Sequence, residues 1–469
     1  MSDVRTPPAT GEDLGRLDED DRLKPDFVAE VLDRVEAGDA EAARALVEPL
    51  HPADVADLFE LAPAERRPAL AHAMSDLLDA DVFAEMNDWV RDELLDALTP
   101  SQVAGLASEL DTDDAVAIIE DLDTDEQREV LRAMEPDDRA AIEEALSYPE
   151  ESAGRLMQRE LIAVPEHWTV GHVLDYLRGH DELTTDFWEI YVVDPAHRPV
   201  GTCQLSWVLR SPRSIAISDV MKREQTLIPL DMDQEEVALR FQKYALISAA
   251  VVDGSGRLIG MITVDDIVHI IHEEAGEDAL LLSGAGEGDI NEPIRDSYLS
   301  RVRWLIANLF TALVASSIIA LFGGAIEQMV ALAVLMPIVA SIGGNAGTQT
   351  MAIAVRALAT NQLTQSNTLR TIRREIVVAL LNGGTVAALL GLGAALVFGN
   401  PALGWVIASA MVINVLVAGL AGVVVPVLLE RLRQDPAVAS SVFVTMVTDS
   451  MGFFAFLGLA VASGLVSMG

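Results

Sequence analysis

The chain has 469 residues, with 73 acidic and 32 basic side chains for a net charge of −41, and a single cysteine. So acidic a chain is unsuited to nucleic acid, whose phosphates are bound through Lys and Arg, and Cys203 alone excludes a disulfide framework or a thiolate metal site. From Arg301 onward eight basic and five acidic residues give +3, so residues 1–300 carry −44, a balance that suits divalent cations.

Residues 1–25 read as a disordered acidic tail without the apolar core of a signal peptide, so the acidic part is expected to stay in the cytosol. A helical superhelix is expected over 26–150. Large apolar residues recur every 12 positions, at Met74, Met86, Leu98, Leu110, Leu122, Met134 and Leu146, through the units LTPSQVAGLASE, LDTDDAVAIIED, LDTDEQREVLRA and MEPDDRAAIEEA. Each unit opens on a Pro or Asp turn and continues into a short helix that Ser, Thr or Asp can cap. The pattern predicts a small right-angled stack of helices, an α-solenoid that buries its core between neighbours.

A duplication fills 151–268, in halves of about 151–212 and 213–268. Leu156-Met157-Gln158-Arg159-Glu160 aligns with Val220-Met221-Lys222-Arg223-Glu224, and each is followed by a strand, a helix and a strand ending in Val-Val-Asp. Asp194 and Asp253 each stand seven residues before a glycine, Gly201 or Gly260, and the first copy has about five extra residues around 180–188. Two β-α-β-β-α units of this length resemble a tandem CBS-domain pair, a regulatory module that often binds adenine nucleotides. ATP is therefore a candidate ligand.

A connecting helix and linker follow, over 269–297, with the helix reading from 265 to 278. Asp266, Glu273, Glu274, Glu277 and Asp278 form an acidic band on it, either a solvated face or a cation site. Mutual repulsion would favour a splayed arrangement when cations are scarce. His269 and His272 share a helical face, but only acids accompany them, and oxygen ligands suit Mg2+ or Ca2+ better than a transition metal.

From 298 the chain reads as an all-α membrane domain with five apolar spans, at 304–322, 329–353, 376–398, 402–429 and 437–468, each able to cross a hydrocarbon layer that needs about 20 helical residues. Arginines precede the first span and fill the loops between the second and third and between the fourth and fifth, which places the N-terminus in the cytosol and the C-terminus outside. Asp449 is the one acid inside these apolar stretches, and an intramembrane carboxylate usually lines an ion path. It lies among Thr445, Thr448 and Ser450, whose hydroxyls can bond water or the carboxylate.

Within the second span, downstream of Pro337, lies Gly343-Gly344-Asn345-Ala346-Gly347-Thr348-Gln349. Pro removes a helical hydrogen bond and glycines loosen the backbone, so carbonyls here are candidates to face a water-filled path, with Gly344, Asn345 and Gly347 as lining. Close packing through Gly343 and Gly347, four apart, is the competing reading. Asn414 in the fourth span is either lining or an interhelical hydrogen bond. No phosphate-cradling Walker loop, nucleophile elbow or HExxH motif occurs, so no enzyme class is indicated.

Taken together, Glu151-Ser152-Ala153-Gly154-Arg155-Leu156-Met157, the helix 265–278 and the segment 337–349 resemble the MgtE family of magnesium channels. The resemblance runs from about residue 26 to 469 in one module order: a cytosolic α-solenoid, tandem CBS domains and a five-helix transmembrane domain. It implies a homodimeric, Mg2+-selective channel of the cell membrane, with Asp449 at ion recognition and the connecting helix acting as a plug. It implies further that cytosolic Mg2+ closes the pore through Asp266, Glu274, Glu277, Asp278 and the solenoid pair Asp113 and Asp114, although Ala117 stands where a further Asp is expected. The residues leave open another divalent cargo, Co2+ or Ca2+, a Na+- or H+-coupled carrier, and a membrane sensor that transports nothing. An acid-rich surface with few lysines also suits a high-salt cytoplasm.

Overall fold

The computed structural model describes residues 16–120, 122–179, 187–283, 293–364 and 366–467. They form two compact units, one ending at Ile271 and one beginning at His272.

The first unit starts with helices α1 (Pro25–Glu36), α2 (Ala40–Val47), α3 (Pro52–Leu61), α4 (Arg67–Ala73), α5 (Ala80–Ala84), α6 (Asp88–Leu95), α7 (Pro100–Ala107), α8 (Thr112–Glu120), α9 (Thr124–Ala133) and α10 (Pro136–Ala145). From α6 to α10 the first residues, 88, 100, 112, 124 and 136, fall 12 apart, so the sequence period is one helix and its turn. Proline at the first helical position costs no intrahelical bond, and it opens α1, α3, α7 and α10. Thr99 and Gln102 close a capping box on α7, and Asp39, Asp79 and Asn87 accept from backbone N–H groups at the starts of α2, α5 and α6. Of the periodic residues Met74, Met86 and Met134 are buried, and Leu98, Leu110, Leu122 and Leu146 pack against the same core. Residues 16–24, expected as tail, instead close a turn through a Leu17–Leu23 bridge because Leu23 is drawn into that core; 1–15 lie outside the described residues.

Two three-stranded sheets follow. The first is β1 (Ala163–Pro165), β2 (Glu189–Val193) and β3 (Pro199–Gln204), with helices α11 (Val170–Gly179), α12 (Leu205–Arg210) and α13 (Ile217–Val220). The second is β4 (Leu227–Pro229), β5 (Ser248–Val252) and β6 (Leu258–Thr263), with α14 (Gln234–Tyr244) and α15 (Val264–Ser283). Each sheet has a parallel pair and an antiparallel pair in the same order. The extra residues of the first copy lie largely in 180–186, outside the described residues.

The duplicated Met segments cross over. Gln158 exchanges two backbone bonds of 2.9 Å with Met261 on β6, whereas Lys222 exchanges bonds of 2.8 and 3.0 Å with Thr202 on β3. Each motif thus docks on the copy it does not precede. Gly260 and Gly201 make the approach possible, since a Cβ there would stand 2.8 Å from Met157 Sδ and 2.7 Å from Met221 Sδ. Met157 is fully buried in the second copy's core, and Met221 is buried in the first's.

The second unit holds the end of α15, then α16 (Ile294–Leu321), a short α17 (Gly323–Gln328), α18 (Val330–Ala359), α19 (Thr368–Val397), α20 (Pro401–Arg431) and α21 (Pro436–Ala462). Five of these are long and apolar enough to cross a membrane. The helices outrun the apolar spans because helical bonding continues past the hydrocarbon edge, as where α16 starts at Ile294. The fifth ends earlier than its apolar run, at Ala462, where Gly464 adopts a φ of +72°. Gln328 Nε2 donates to the Ser467 carbonyl at 2.9 Å and its Oε1 accepts from Ser467 N–H at 3.0 Å, so the α17 turn and the chain end share one side of the bundle, as four intervening spans require.

Candidate ion path and acidic clusters

Asp449 lies half-buried on α21 and has no ion-pair partner among the described residues. Thr448 beside it is fully buried and donates to the Thr445 carbonyl at 3.0 Å. The glycine-rich segment does not loosen as expected: α18 runs unbroken from Val330 to Ala359, and the Gly344 carbonyl accepts from Thr348 Oγ1 at 3.0 Å. Helical bonding wins because close helix packing, not an aqueous opening, meets two of these glycines. Gly343 and Gly347 are buried, and a Cβ at Gly347 would stand 2.7 Å from Val444 Cγ1 and 3.2 Å from Thr448 Cγ2 of α21. Gly344 and Asn345 occupy the open face; nothing lies within 4 Å of a Cβ at Gly344, and Asn345 is exposed. Asn414 on α20 is fully buried and makes the interhelical bond, its Nδ2 donating to the Val339 carbonyl at 2.9 Å. Asn414 and Gly347 are thus buried between neighbouring helices, whereas Gly344 and Asn345 face outward.

The first unit assembles an acidic cluster from three distant segments. Glu160, from the first Met motif, accepts from Thr112 N–H at 3.3 Å and Thr112 Oγ1 at 2.8 Å and so caps α8. That helix carries Asp113 and Asp114 in its first turn. Asp266, in the first turn of α15, uses Oδ2 to accept from Thr263 Oγ1 at 2.6 Å and Thr263 N–H at 3.3 Å. Burial drives the Asp113 carboxyl well above its ordinary range, and the charges of Asp266, Asp114 and Asp111 push the same way. Burial, then Asp266, Asp111, Glu85 and Asp265, pushes Asp114 up to about 6. Burial also raises Asp266, against the hydrogen bond from Thr263. Asp113 Oδ1 is buried without a hydrogen-bond partner. Carboxylates held this close without a cation are destabilised as anions, which is the electrostatic condition for attracting one.

In the second unit α15 continues past Glu274 and Glu277 to Asp278. Burial raises the Asp278 carboxyl, with Asp435 and Glu274 adding to it. Asp435 also caps α21, accepting from Ala437 N–H at 2.7 Å. Leu281 and Leu282 pack against Met351 and Val355 of α18 and Ala437 and Val444 of α21. Among the described residues no three His, Cys, Asp or Glu side chains converge into a ready-made metal cage, and His269 and His272 are exposed.

A cleft of about 560 Å³ opens between β2 and β5, lined by Glu189, Trp207, Lys222, Arg223 and Tyr244 among others. On its lining Tyr191 OH donates to Ser248 Oγ at 3.0 Å and Ser248 Oγ donates to Glu189 at 3.0 Å.

Residues 50–151 match the family described as MgtE intracellular N domain, 217–273 the CBS domain, and 336–459 the family described as divalent cation transporter. Similarity extends to the magnesium transporter MgtE of Thermus thermophilus, 32% identical across 91% of this chain and 96% of that one. The chain belongs to the MgtE family. The MgtE of Bacillus subtilis is 29% identical across 89% of this chain and 93% of that one. Among solved structures, the cytosolic domain of the Mg2+ channel MgtE in complex with ATP is 28% identical, covering 52% of this chain and 99% of that one with a TM-score of 0.48. Membership of the MgtE family places the chain among membrane transporters and not among enzymes.

Of the acids singled out in sequence, the fold brings Asp113, Asp114 and Asp266 together, and separately Glu274 and Asp278; Glu277 is exposed. Sequence reading missed Glu85, Asp111, Asp265 and Asp435. Asp111 and Asp265 adjoin residues already flagged, whereas Asp435 reads locally as an N-cap and Glu85 as one more surface acid. Only tertiary packing shows their company.

Proposed function

We propose that the chain is a homodimeric channel that passes Mg2+ into the cytosol, recognises it at Asp449, and is closed by cytosolic Mg2+ acting on the acidic clusters. Membership of a divalent cation transporter family supports passage of such an ion. The observation that carries the reading is α21 itself: it holds Asp449 in its middle and is capped at its start by Asp435, whose charge acts on Asp278 of the connecting helix. Neutralising Asp278 and Asp435 with a cation stabilises the docked connector, and the same helix carries that state to the carboxylate at mid-span.

Mg2+ keeps its inner waters reluctantly shed, so oxygen ligands spaced to hold a hydrated ion suit it. Two Asp449 carboxylates facing each other in a dimer would supply −2. The exposed Gly344 and Asn345 face is the companion lining. The cytosolic N-terminus and external C-terminus follow from the arginine-bearing loops. The cleft between β2 and β5 offers Lys222 and Arg223 to phosphates and Trp207 and Tyr244 to a base, which fits an adenine nucleotide such as ATP. The acidic exterior fits a high-salt cytoplasm; equal stability of the protein at low and high salt would count against that.

The test is ion flux into proteoliposomes of the wild type and Asp449→Asn, with Co2+ and Ca2+ as competitors. Mg2+ flux that disappears or loses selectivity in the variant supports the reading. Preference for Co2+ or Ca2+, or dependence on a Na+ or H+ gradient, replaces Mg2+ conduction with another transport mode.

A further inference from the structure

Asn414 has no charge, touches no open face and is, with Ser440 and Thr448, the most enclosed polar side chain of the membrane unit among the described residues. Its position is nonetheless unusual. Nδ2 donates to the Val339 carbonyl, which lies one turn before Gly343 on α18. A Cβ at Gly343 would collide with that amide nitrogen, and one at Gly452 of α21 would stand 2.7 Å from it. The amide therefore occupies a notch that exists only because both facing residues are glycine. Gly343 immediately precedes Gly344 and Asn345, and Gly452 lies one helical turn after Asp449. Its Oδ1 is buried with no hydrogen-bond partner. An apolar residue of the same size would fill the notch without that cost, which a buried unpaired carbonyl incurs at about 1–3 kcal/mol. Packing alone does not account for an asparagine here.

We propose that Asn414 is a positioning residue for ion passage: one amide of α20 sets the spacing and rotation of the Gly344–Asn345 face of α18 against Asp449 of α21. The inference rests on the reading of Asp449 as the recognition site. The bond to Val339 fixes α18 along its axis, and the glycine at 452 lets α21 approach to the distance the amide defines. Because the side chain acts through other residues, its loss changes which ion passes and how tightly it is held, rather than abolishing a ligand.

The experiment compares wild type, Asn414→Leu, Asn414→Ser and Asp449→Asn in proteoliposomes, reading Mg2+ flux, its half-saturating concentration, and the Mg2+ to Ca2+ ratio, alongside the melting temperature of each purified protein. Asn414→Leu is expected to shift the ion ratio or the half-saturating concentration by about 5-fold or more while remaining folded, with Asn414→Ser, which keeps a small donor, closer to wild type. Should Asn414→Leu fail to fold, Gly452→Ala pushes the same contact from α21, and the pair Gly343→Ala with Asn414→Ala restores room across the notch. The double variant is expected to fold better than Gly343→Ala alone and still to show altered selectivity. Folded Asn414 variants with wild-type ratio and half-saturation would overturn the proposal, whatever their melting temperatures. If Asp449→Asn also leaves selective flux intact, the reading of Asp449 fails first; if only Asp449→Asn has an effect, the failure belongs to Asn414.

Discussion

The acids of the first unit and the acid of the membrane unit are treated in opposite ways by the same chain. In the first unit Asp113, Asp114 and Asp266 are drawn together with Asp111, Asp265 and Glu85 near them, all acidic, and Asp113 has a buried Oδ1 without a hydrogen-bond partner. In the membrane unit Asp449 stands apart from other acids, flanked in sequence by the hydroxyls of Thr448 and Ser450. Crowding makes carboxylates responsive to cation concentration, because repulsion stores energy that binding releases. On the proposed reading, a carboxylate with no further acids beside it acts on a passing ion without trapping it.

This contrast fixes the sign of the expected effects. Asp449→Asn removes the one mid-span charge; between a carboxylate and a dication at about 5 Å and an effective dielectric of about 20 that attraction is about 7 kcal/mol, so a loss of roughly two decades or more in flux or ion preference is expected. Flux assays with competing cations read it. The two faces of α18 should separate next: Gly347→Ala meets Val444 and Thr448 and should cost about 1–3 kcal/mol of stability, whereas Gly344→Ala, facing open space, should stay within about 0.5 kcal/mol. Thermal unfolding in detergent distinguishes them, and equal effects would dissolve the assignment of packing and open faces.

Removing charge from the crowded cluster should do the reverse of removing it from the span. Asp113→Asn is expected to raise the melting temperature of the Mg2+-free protein by a few degrees, about what 1 kcal/mol gives in a domain of this size, and to shrink the further rise on adding Mg2+. A drop in melting temperature without Mg2+ would contradict stored repulsion. The smallest effect is that of pH. Asp114 is pushed up to about 6 from the ordinary 3.8, so between these values the folded chain binds more protons than the unfolded one. Stability without Mg2+ should therefore rise as pH falls from 7 toward 5, and Mg2+ protection against proteolysis should weaken over the same interval because protons compete for the carboxylates.

Much of the fold was legible because it is periodic. The 12-residue spacing from Met74 to Leu146 reports helix plus turn directly, and the five apolar runs report the spans. The paired Met motifs announced a duplication, but which copy each Met enters depends on long-range pairing of Gln158 with Met261 and of Lys222 with Thr202, which no local pattern encodes. The site was legible in part. Asp449 stands out by polarity alone and Asp266 by its place in an acidic helix band, whereas Asp113 entered only through the family resemblance. Asn345 and Asn414 look alike in sequence, both amides in apolar helices, yet one is exposed and the other sealed between glycines. Asp435 was hidden by its evident local role as a cap.

The central claim, that crowded acids govern opening while the isolated acid governs passage, is tested most directly by Mg2+ flux measured as internal Mg2+ is raised, for wild type, Asp449→Asn and Asp278→Asn. The account predicts that Asp449→Asn loses selective flux at every internal concentration, while Asp278→Asn conducts selectively and resists closure, its half-inhibiting Mg2+ shifted upward several-fold. Normal closure in Asp278→Asn together with selective flux through Asp449→Asn would contradict it.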